Sequence, residues 1–253
     1  MGRRFGQHFL FRKSILDRIA EAACGDRAPR VVEIGPGKGA LTESLLERAD
    51  TVIAIEVDPH LVHYLHQKFR EPIEEGRLEV IEGDVLKSDI SGAVIAGNLP
   101  YYITSPILEK VFGLGEAWNR AVFMMQSEVA ERLTAKPGNR DFGYLSVQTQ
   151  IYARPEILFE VPRDAFRPPP KVDSAVVLLE RRSLPEVEDP ISFLKFASLC
   201  FRHKRKTLRN NLAPLYELAS LPEGRLRAEQ MSISELAALW AKIRSFKAPQ
   251  SGV

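Results

Sequence analysis

Apolar residues come along this chain as short unbroken runs, separated by stretches of helical period. The segments Arg30-Val-Val-Glu-Ile-Gly35, Thr51-Val-Ile-Ala-Ile-Glu56, Arg77-Leu-Glu-Val-Ile-Glu-Gly-Asp84, Val94-Ile-Ala-Gly-Asn98 and Ala121-Val-Phe-Met-Met-Gln126 read as buried strands. Between them, Ile15, Leu16, Ile19 and Ala23 share one face of a helix starting near Ser14, and Leu41, Leu45 and Leu46 share a face of another. Asp58-Pro59 opens a third helix, with an N-cap and a proline at its first position, and residues 128–133 form a fourth. Leu145–Tyr152, Glu156–Val161 and Val172–Leu179 are predicted as further strands. Strands alternating with helices predict an α/β fold, a mainly parallel sheet with helices on both faces.

The alternation stops near residue 182. Ser183-Leu-Pro-Glu-Val-Glu-Asp-Pro190 reads as a linker, dividing the chain into residues 1–182 and 183–253. Beyond it, a helix starts at Pro190 with Asp189 as its cap and carries Phe193, Phe196, Ala197 and Cys200. A basic helix is expected over 202–209. The capping box Ser232-Ile-Ser-Glu235 opens a last helix with Leu236, Leu239, Trp240 and Ile243 inward.

Composition narrows the class of protein. With 253 residues, 45% hydrophobic and 27% charged, the chain has enough apolar surface for a packed core. Cys24 and Cys200 lie far apart and fit neither a disulfide framework nor a zinc site, so a reducing compartment and no metal are expected. The basic amino terminus is not followed by an apolar signal core, and no run is long enough to span a bilayer; a soluble cytoplasmic protein is expected. Charge is uneven: residues 181–253 hold 13 Lys/Arg against 7 Asp/Glu, whereas 1–180 hold 22 against 26. Within the basic part, Arg202, Lys204, Arg205, Lys206 and Arg209 are concentrated without an acid, which points to a polyanion such as nucleic acid. The arm Arg3–Lys13, basic with interleaved aromatics, is also suited to phosphates or to folding over a ligand.

Candidate chemistry gathers at strand ends. Gly35, Gly37 and Gly39 follow the first core strand and precede a helix, the pattern of a nucleotide-binding turn, where small residues let backbone approach a ligand. By itself this loop does not separate NAD from S-adenosylmethionine. Glu56, about twenty residues on, stands where a carboxylate bonds ribose hydroxyls, and Asp84 is placed to accept from an adenine amine. Asn98-Leu99-Pro100-Tyr101 ends the fourth strand with an amide acceptor, carbonyls that a proline-bearing turn should leave free, and a π-face. That set suits a planar amine such as N6 of adenine. Asn98 and either the Leu99 or the Pro100 carbonyl would accept its two N–H bonds.

Five motifs, in order, carry a resemblance: Phe5-Gly-Gln-His-Phe-Leu10, Val32-Glu-Ile-Gly-Pro-Gly37, Gly97–Tyr101, Phe166-Arg-Pro-Pro-Pro-Lys-Val-Asp-Ser174 and Arg205-Lys-Thr-Leu-Arg-Asn-Asn-Leu212. Over nearly its whole length the chain resembles the KsgA family of ribosomal RNA small-subunit adenine dimethyltransferases. The resemblance implies a class I methyltransferase (Rossmann-like) fold with a small C-terminal α-helical domain. It also implies S-adenosyl-L-methionine as donor and N6,N6-dimethylation of two adjacent adenosines near the 3′ end of small-subunit (16S) rRNA. The donor site would be His8, Leu10, Gly35, Glu56, Asp84 and Asn98, and Phe166 would face Tyr101 across the target base. The implied partner is small-subunit rRNA within the 30S particle or its precursor, with a role in subunit assembly; a monomer is expected. The chain departs from the family at Tyr102, where many members have Asn, and at Lys204, which replaces a common Arg. Three other readings stay open at this level: an Erm-type enzyme acting on large-subunit rRNA, a dehydrogenase, and a non-catalytic nucleic-acid-binding factor.

Overall fold

A computed structural model describes residues 8–90, 92, 94–183, 187–213, 215–216 and 221–245. Residues 3–7 of the basic arm and 184–186 of the linker therefore lie outside the described residues. In chain order the elements are β1 (Phe9–Leu10), α1 (Lys13–Cys24), β2 (Ala28–Ile34), α2 (Ala40–Leu46), β3 (Ala49–Glu56), α3 (Pro59–Lys68), α4 (Arg70–Glu74), β4 (Leu78–Glu82), β5 (Val94–Asn98), α5 (Thr104–Gly113), β6 (Arg120–Gln126), α6 (Ser127–Thr134), α7 (Tyr144–Tyr152), β7 (Ala153–Val161), β8 (Phe166–Arg167), β9 (Ser174–Arg181), α8 (Pro190–Cys200), α9 (Leu208–Leu212) and α10 (Ile233–Ser245). Short 3-10 turns intervene. Among the described residues no helix is long and apolar enough to cross a membrane.

Contacts divide the described chain into two units: residues 8–130 with 154–181, and residues 131–153 with 182–245. The sequence alone suggested one division, after residue 182; here the chain changes unit three times.

The first unit holds a seven-stranded sheet in the order β4-β3-β2-β5-β6-β9-β7. Strands β4, β3, β2, β5 and β6 are parallel, and β9 runs antiparallel to β6. Consecutive residues of the central strands are buried, as in Val31-Val32, Ile95-Ala96 and Val122-Phe123-Met124-Met125. Side chains alternate across a strand, so both faces of the sheet are covered. On one face Val31, Val52, Ala54, Ala96, Val122, Met124 and Val176 pack with Ile15, Leu16, Ile19, Ala20 and Ala23 of α1 and Leu41, Leu45 and Leu46 of α2. The chain builds outward from β2 to β3 and β4, then returns to lay β5 on the other side of β2. That reversal opens a crevice beyond the carboxyl ends of β2 and β5, where parallel sheets bind ligands.

The second unit is helical, around Phe142, Val147, Ile151, Phe193, Phe196, Leu208, Leu212, Leu236, Leu239 and Trp240, with Phe193 edge-on to Trp240 at 5.7 Å. Both expected caps are present: Asp189 Oδ1 accepts from Ser192 N at 3.0 Å, and Ser232 and Glu235 exchange hydrogen bonds at the start of α10.

Two expected elements differ. Residues 145–152 are helix α7, not a strand. Gly143 N donates to Ser146 Oγ, and Gln150 Nε2 reaches the carbonyls of Leu133 and Ala135, capping the preceding helix. These side chains give a stretch of alternating polarity a helical set of partners, and the apolar Val147 and Ile151, four apart, face the core. Residues 202–207 form a turn between α8 and α9, not a basic helix. A helix there would stack like charges at 202 and 206 and at 205 and 209, an unfavourable spacing. Instead Asn211 Nδ2 donates to the carbonyls of Cys200 and His203, at 2.7 and 3.2 Å, and ties the turn to the end of α8.

Candidate functional site

The β2–α2 loop is shaped by glycines at positive φ. Gly39 (φ +75°) is confined, since a Cβ there would overlap the Phe69 ring. Gly35 (φ +66°) is confined only by its backbone: a Cβ there would meet no protein atom within 4 Å, so its face is open space. Gly35 N donates to Ile55 O at 3.0 Å, holding the loop against β3.

Glu56, the last residue of β3, is buried and hydrogen-bonded to three backbone N–H groups. Its carboxylate accepts from Gly37 N at 3.0 Å, Val57 N at 2.9 Å and Asp58 N at 3.0 Å. Burial pushes its pKa up, and the three N–H bonds oppose that shift. Each carboxylate oxygen can accept more than one bond, so Glu56 keeps capacity for a hydroxyl on the ligand side. Asp84, just past β4, uses Oδ1 to accept from Leu86 N at 3.0 Å.

Asn98 ends β5. Its Nδ2 donates to His8 O at 3.3 Å, and no donor among the described residues reaches Oδ1, the acceptor end of the amide. Leu99 N is bonded to Met124 O at 3.0 Å. Pro100 O accepts from Ile103 N at 3.1 Å and from Thr104 Oγ1 at 3.2 Å. The expectation that both carbonyls stay open is therefore corrected: Pro100 cannot donate, but its carbonyl closes the turn leading into α5. No donor among the described residues reaches the Leu99 carbonyl. Tyr101 is anchored by a 2.9 Å hydrogen bond between its hydroxyl and the buried Ser174 Oγ at the start of β9. The His8 ring lies 6.2 Å from the Tyr101 ring at 27°, and His8 Nδ1 is 2.7 Å from Pro168 O.

His8, Leu10, Gly35, Glu56, Asp84, Asn98, Leu99, Pro100 and Tyr101 all line one cavity of about 710 Å³, although they span some ninety positions of sequence. Its volume suits a nucleoside-sized ligand. Open space over Gly35 and carboxylates at the ends of two successive strands fit a ribose and an amine-bearing base.

Phe166 is not among these residues. It is 2% exposed, pairs with Leu10 across the two-residue ladder of β1 and β8, and belongs to the sheet core. Alternation along β8 explains this: Phe166 points in, while Arg167 points out and sets its guanidinium 4.5 Å from the Phe11 ring. Arg202, Lys204, Arg205, Lys206 and Arg209 belong to the second unit, and all five are exposed.

Phe9 and Glu33 are cavity residues that the sequence reading does not single out. Phe9 lies over the glycine loop, 3.1 Å from where a Gly37 Cβ would be. Glu33 is buried within β2, accepts from Thr42 Oγ1 at 2.6 Å, and is pushed up to about 7 by burial. An acid interrupting the run Val31-Val32-Glu33-Ile34 was the available signal.

A family model described as ribosomal RNA adenine dimethylase matches residues 1–235. The ribosomal RNA small subunit methyltransferase A of Acidobacterium capsulatum is 44% identical over 257 residues, covering 94% of this chain and 89% of that protein. Its namesake in Chlorobium chlorochromatii is 38% identical over 252 residues, covering 96% and 94%. Among solved structures, a dimethyladenosine transferase from Plasmodium falciparum superposes with a TM-score of 0.78 at 26% identity, covering 94% of this chain and 98% of that one. The 23S rRNA methyltransferase ErmE superposes at 0.69 with 29% identity, covering 91% and 98%.

Proposed function

Because the chain belongs to the ribosomal RNA adenine dimethylase family, we propose that it transfers methyl groups from S-adenosyl-L-methionine to N6 of two adjacent adenosines near the 3′ end of small-subunit (16S) rRNA, two to each. Identities of 38–44% to small-subunit methyltransferases, over 94–96% of this chain, support the small subunit as substrate. The observation that carries the chemistry is the pairing of two acceptors unclaimed among the described residues, Asn98 Oδ1 and Leu99 O, beside an anchored Tyr101 ring.

In this reading Gly35, Glu56, Asp84, His8 and Leu10 hold the donor, which supplies an electrophilic methyl on sulfur. The target adenine leaves its stack and rests on Tyr101. Ser174 holds the hydroxyl end of that ring in place. Asn98 Oδ1 and Leu99 O accept the two N6–H bonds and turn the nitrogen lone pair toward the methyl group. N6 forms the new N–C bond, the methyl–sulfur bond breaks with its electrons going to sulfur, and the nitrogen becomes cationic. The same two acceptors stabilise that charge, and the surplus proton passes to water. Positioning supplies most of the rate, so no dedicated acid–base pair is required. The exposed cations at 202, 204, 205, 206 and 209 grip rRNA phosphates in the 30S particle or its precursor, which also suits a role in small-subunit assembly.

The deciding experiment is tritiated methyl transfer from S-adenosyl-L-methionine to unmethylated small subunits, with large subunits in parallel and nucleosides resolved afterwards. Dimethyladenosine from the small subunit alone is expected. Label on the large subunit, or on neither, would overturn the reading.

A further inference from the structure

Tyr101 and Tyr102 are consecutive, but their surroundings are opposite. They are the central pair of the turn Pro100–Ile103, closed by Ile103 N on Pro100 O at 3.1 Å. Tyr101 faces inward and is anchored on Ser174; Tyr102 is 63% exposed and still lines the cavity. Among the described residues Tyr102 has no hydrogen-bond or ring partner. A ring this exposed contributes little to the core. Phe11, 45% exposed and on the same cavity, adds a second exposed ring to this wall, and the Arg167 guanidinium lies 4.5 Å from it.

We propose that Tyr102 is a stacking platform for the base next to the methylated adenosine, a subsite for the flanking nucleotide; this rests on the acceptor reading of Asn98 and Leu99. An adenine drawn into the socket leaves its neighbour unstacked, and that neighbour is tethered one phosphodiester away. The nearest exposed π-surface in sequence and on the turn is Tyr102, one residue beyond the ring that receives the target. Stacking on an aromatic ring restores part of what the neighbour loses, whichever base it is. The ring is placed for the acceptor and not the donor: it stands on the turn that carries the socket, whereas Glu56 and Asp84 stand at the ends of other strands.

The test compares wild type, Tyr102→Phe and Tyr102→Ala on unmethylated small subunits, with equilibrium binding of S-adenosyl-L-methionine measured separately. For Tyr102→Ala, KM for the small subunit should rise about 5- to 150-fold, the worth of one stacked base, with kcat and donor binding little changed. Tyr102→Phe should restore KM, since the ring and not the hydroxyl does the work. An unchanged KM would overturn the proposal. So would a fall in kcat alone, which would place the ring on the reacting base, or weakened donor binding, which would place it on the donor. Asn98→Ala run alongside separates the two levels: if it also keeps wild-type turnover, the acceptor reading itself has failed.

Discussion

The Thr42 hydroxyl donates to Glu33 Oε2 at 2.6 Å, with both side chains buried. The pair joins strand β2 to helix α2 beneath the glycine loop. Burial is the largest influence on the Glu33 carboxyl and pushes it up to about 7; the Thr42 hydrogen bond opposes this, and the negative charge of Glu56 adds to it.

A pH dependence follows from that shift. The folded chain keeps a proton on Glu33 that the unfolded chain releases at the ordinary value of 4.5. Stability from this group is fully present below pH 4.5 and is lost as pH rises through about 7. The loss is about 3 kcal/mol, at ~1.4 kcal/mol for each pH unit that separates the two values. Thermal melts between pH 5 and 8 should show Glu33→Gln gaining on wild type as pH rises, because Gln keeps an acceptor for Thr42 and has no charge to bury. Glu56 is shifted in the same sense, so part of the slope should persist in the variant.

Asn98→Ala removes one of the two acceptors proposed for N6 and the amide that holds His8 O. Turnover should fall about 100-fold or more, the usual cost of losing one polar group that stabilises developing charge. Binding of small subunits, measured by sedimentation or filter retention, should be nearly unchanged. Near-normal turnover would rule out the acceptor role.

The two glycines at the ends of the loop should fail differently. Gly39→Ala drives a methyl into Phe69 at φ +75° and should cost more than about 2 kcal/mol of stability, visible as a lower Tm. Gly35→Ala carries only the backbone strain, about 1–2 kcal/mol, because its Cβ meets no protein atom. Its methyl enters the space assigned to the donor, so isothermal titration should show weakened S-adenosyl-L-methionine binding by a protein that remains folded.

Neutralising Arg205 and Lys206 to Gln should lower the slope of log Kd against log salt for rRNA by about 1.4–1.8, since each phosphate left without its cation accounts for roughly 0.7–0.9. Both side chains are exposed on the α8–α9 turn, so the Tm should hold. An unchanged slope would mean that this turn does not touch the RNA.

Short-range features were legible from the chain alone. A strand, a glycine loop and a helix are spelled by neighbouring residues, and so are the caps Asp58-Pro59, Asp189-Pro190 and Ser232–Glu235, because each is satisfied by backbone groups within a few positions. The acid ending β3, the acid just past β4 and the amide ending β5 followed from the same logic: in a parallel sheet the carboxyl ends of the strands open on one side.

Tertiary structure decided what depends on distant partners. Residues 145–152 have a polarity pattern that suits strand or helix, and Ser146 and Gln150 settled it by meeting Gly143 and the carbonyls of Leu133 and Ala135. The basic stretch at 202–207 became a turn because Asn211 reached back to Cys200 and His203. Phe166 went to the core because its strand pairs with β1, 156 positions earlier at Leu10, a pairing invisible locally. Which carbonyl beside Asn98 stays open was settled by Ile103 and Thr104 claiming Pro100 O. Thus the residue types, spacings and caps specify the kind of site, since they act through short-range geometry and solvation. The free acceptors and the outward ring depend on where remote backbone donors and apolar surfaces come to rest, and that is set only when the chain closes on itself.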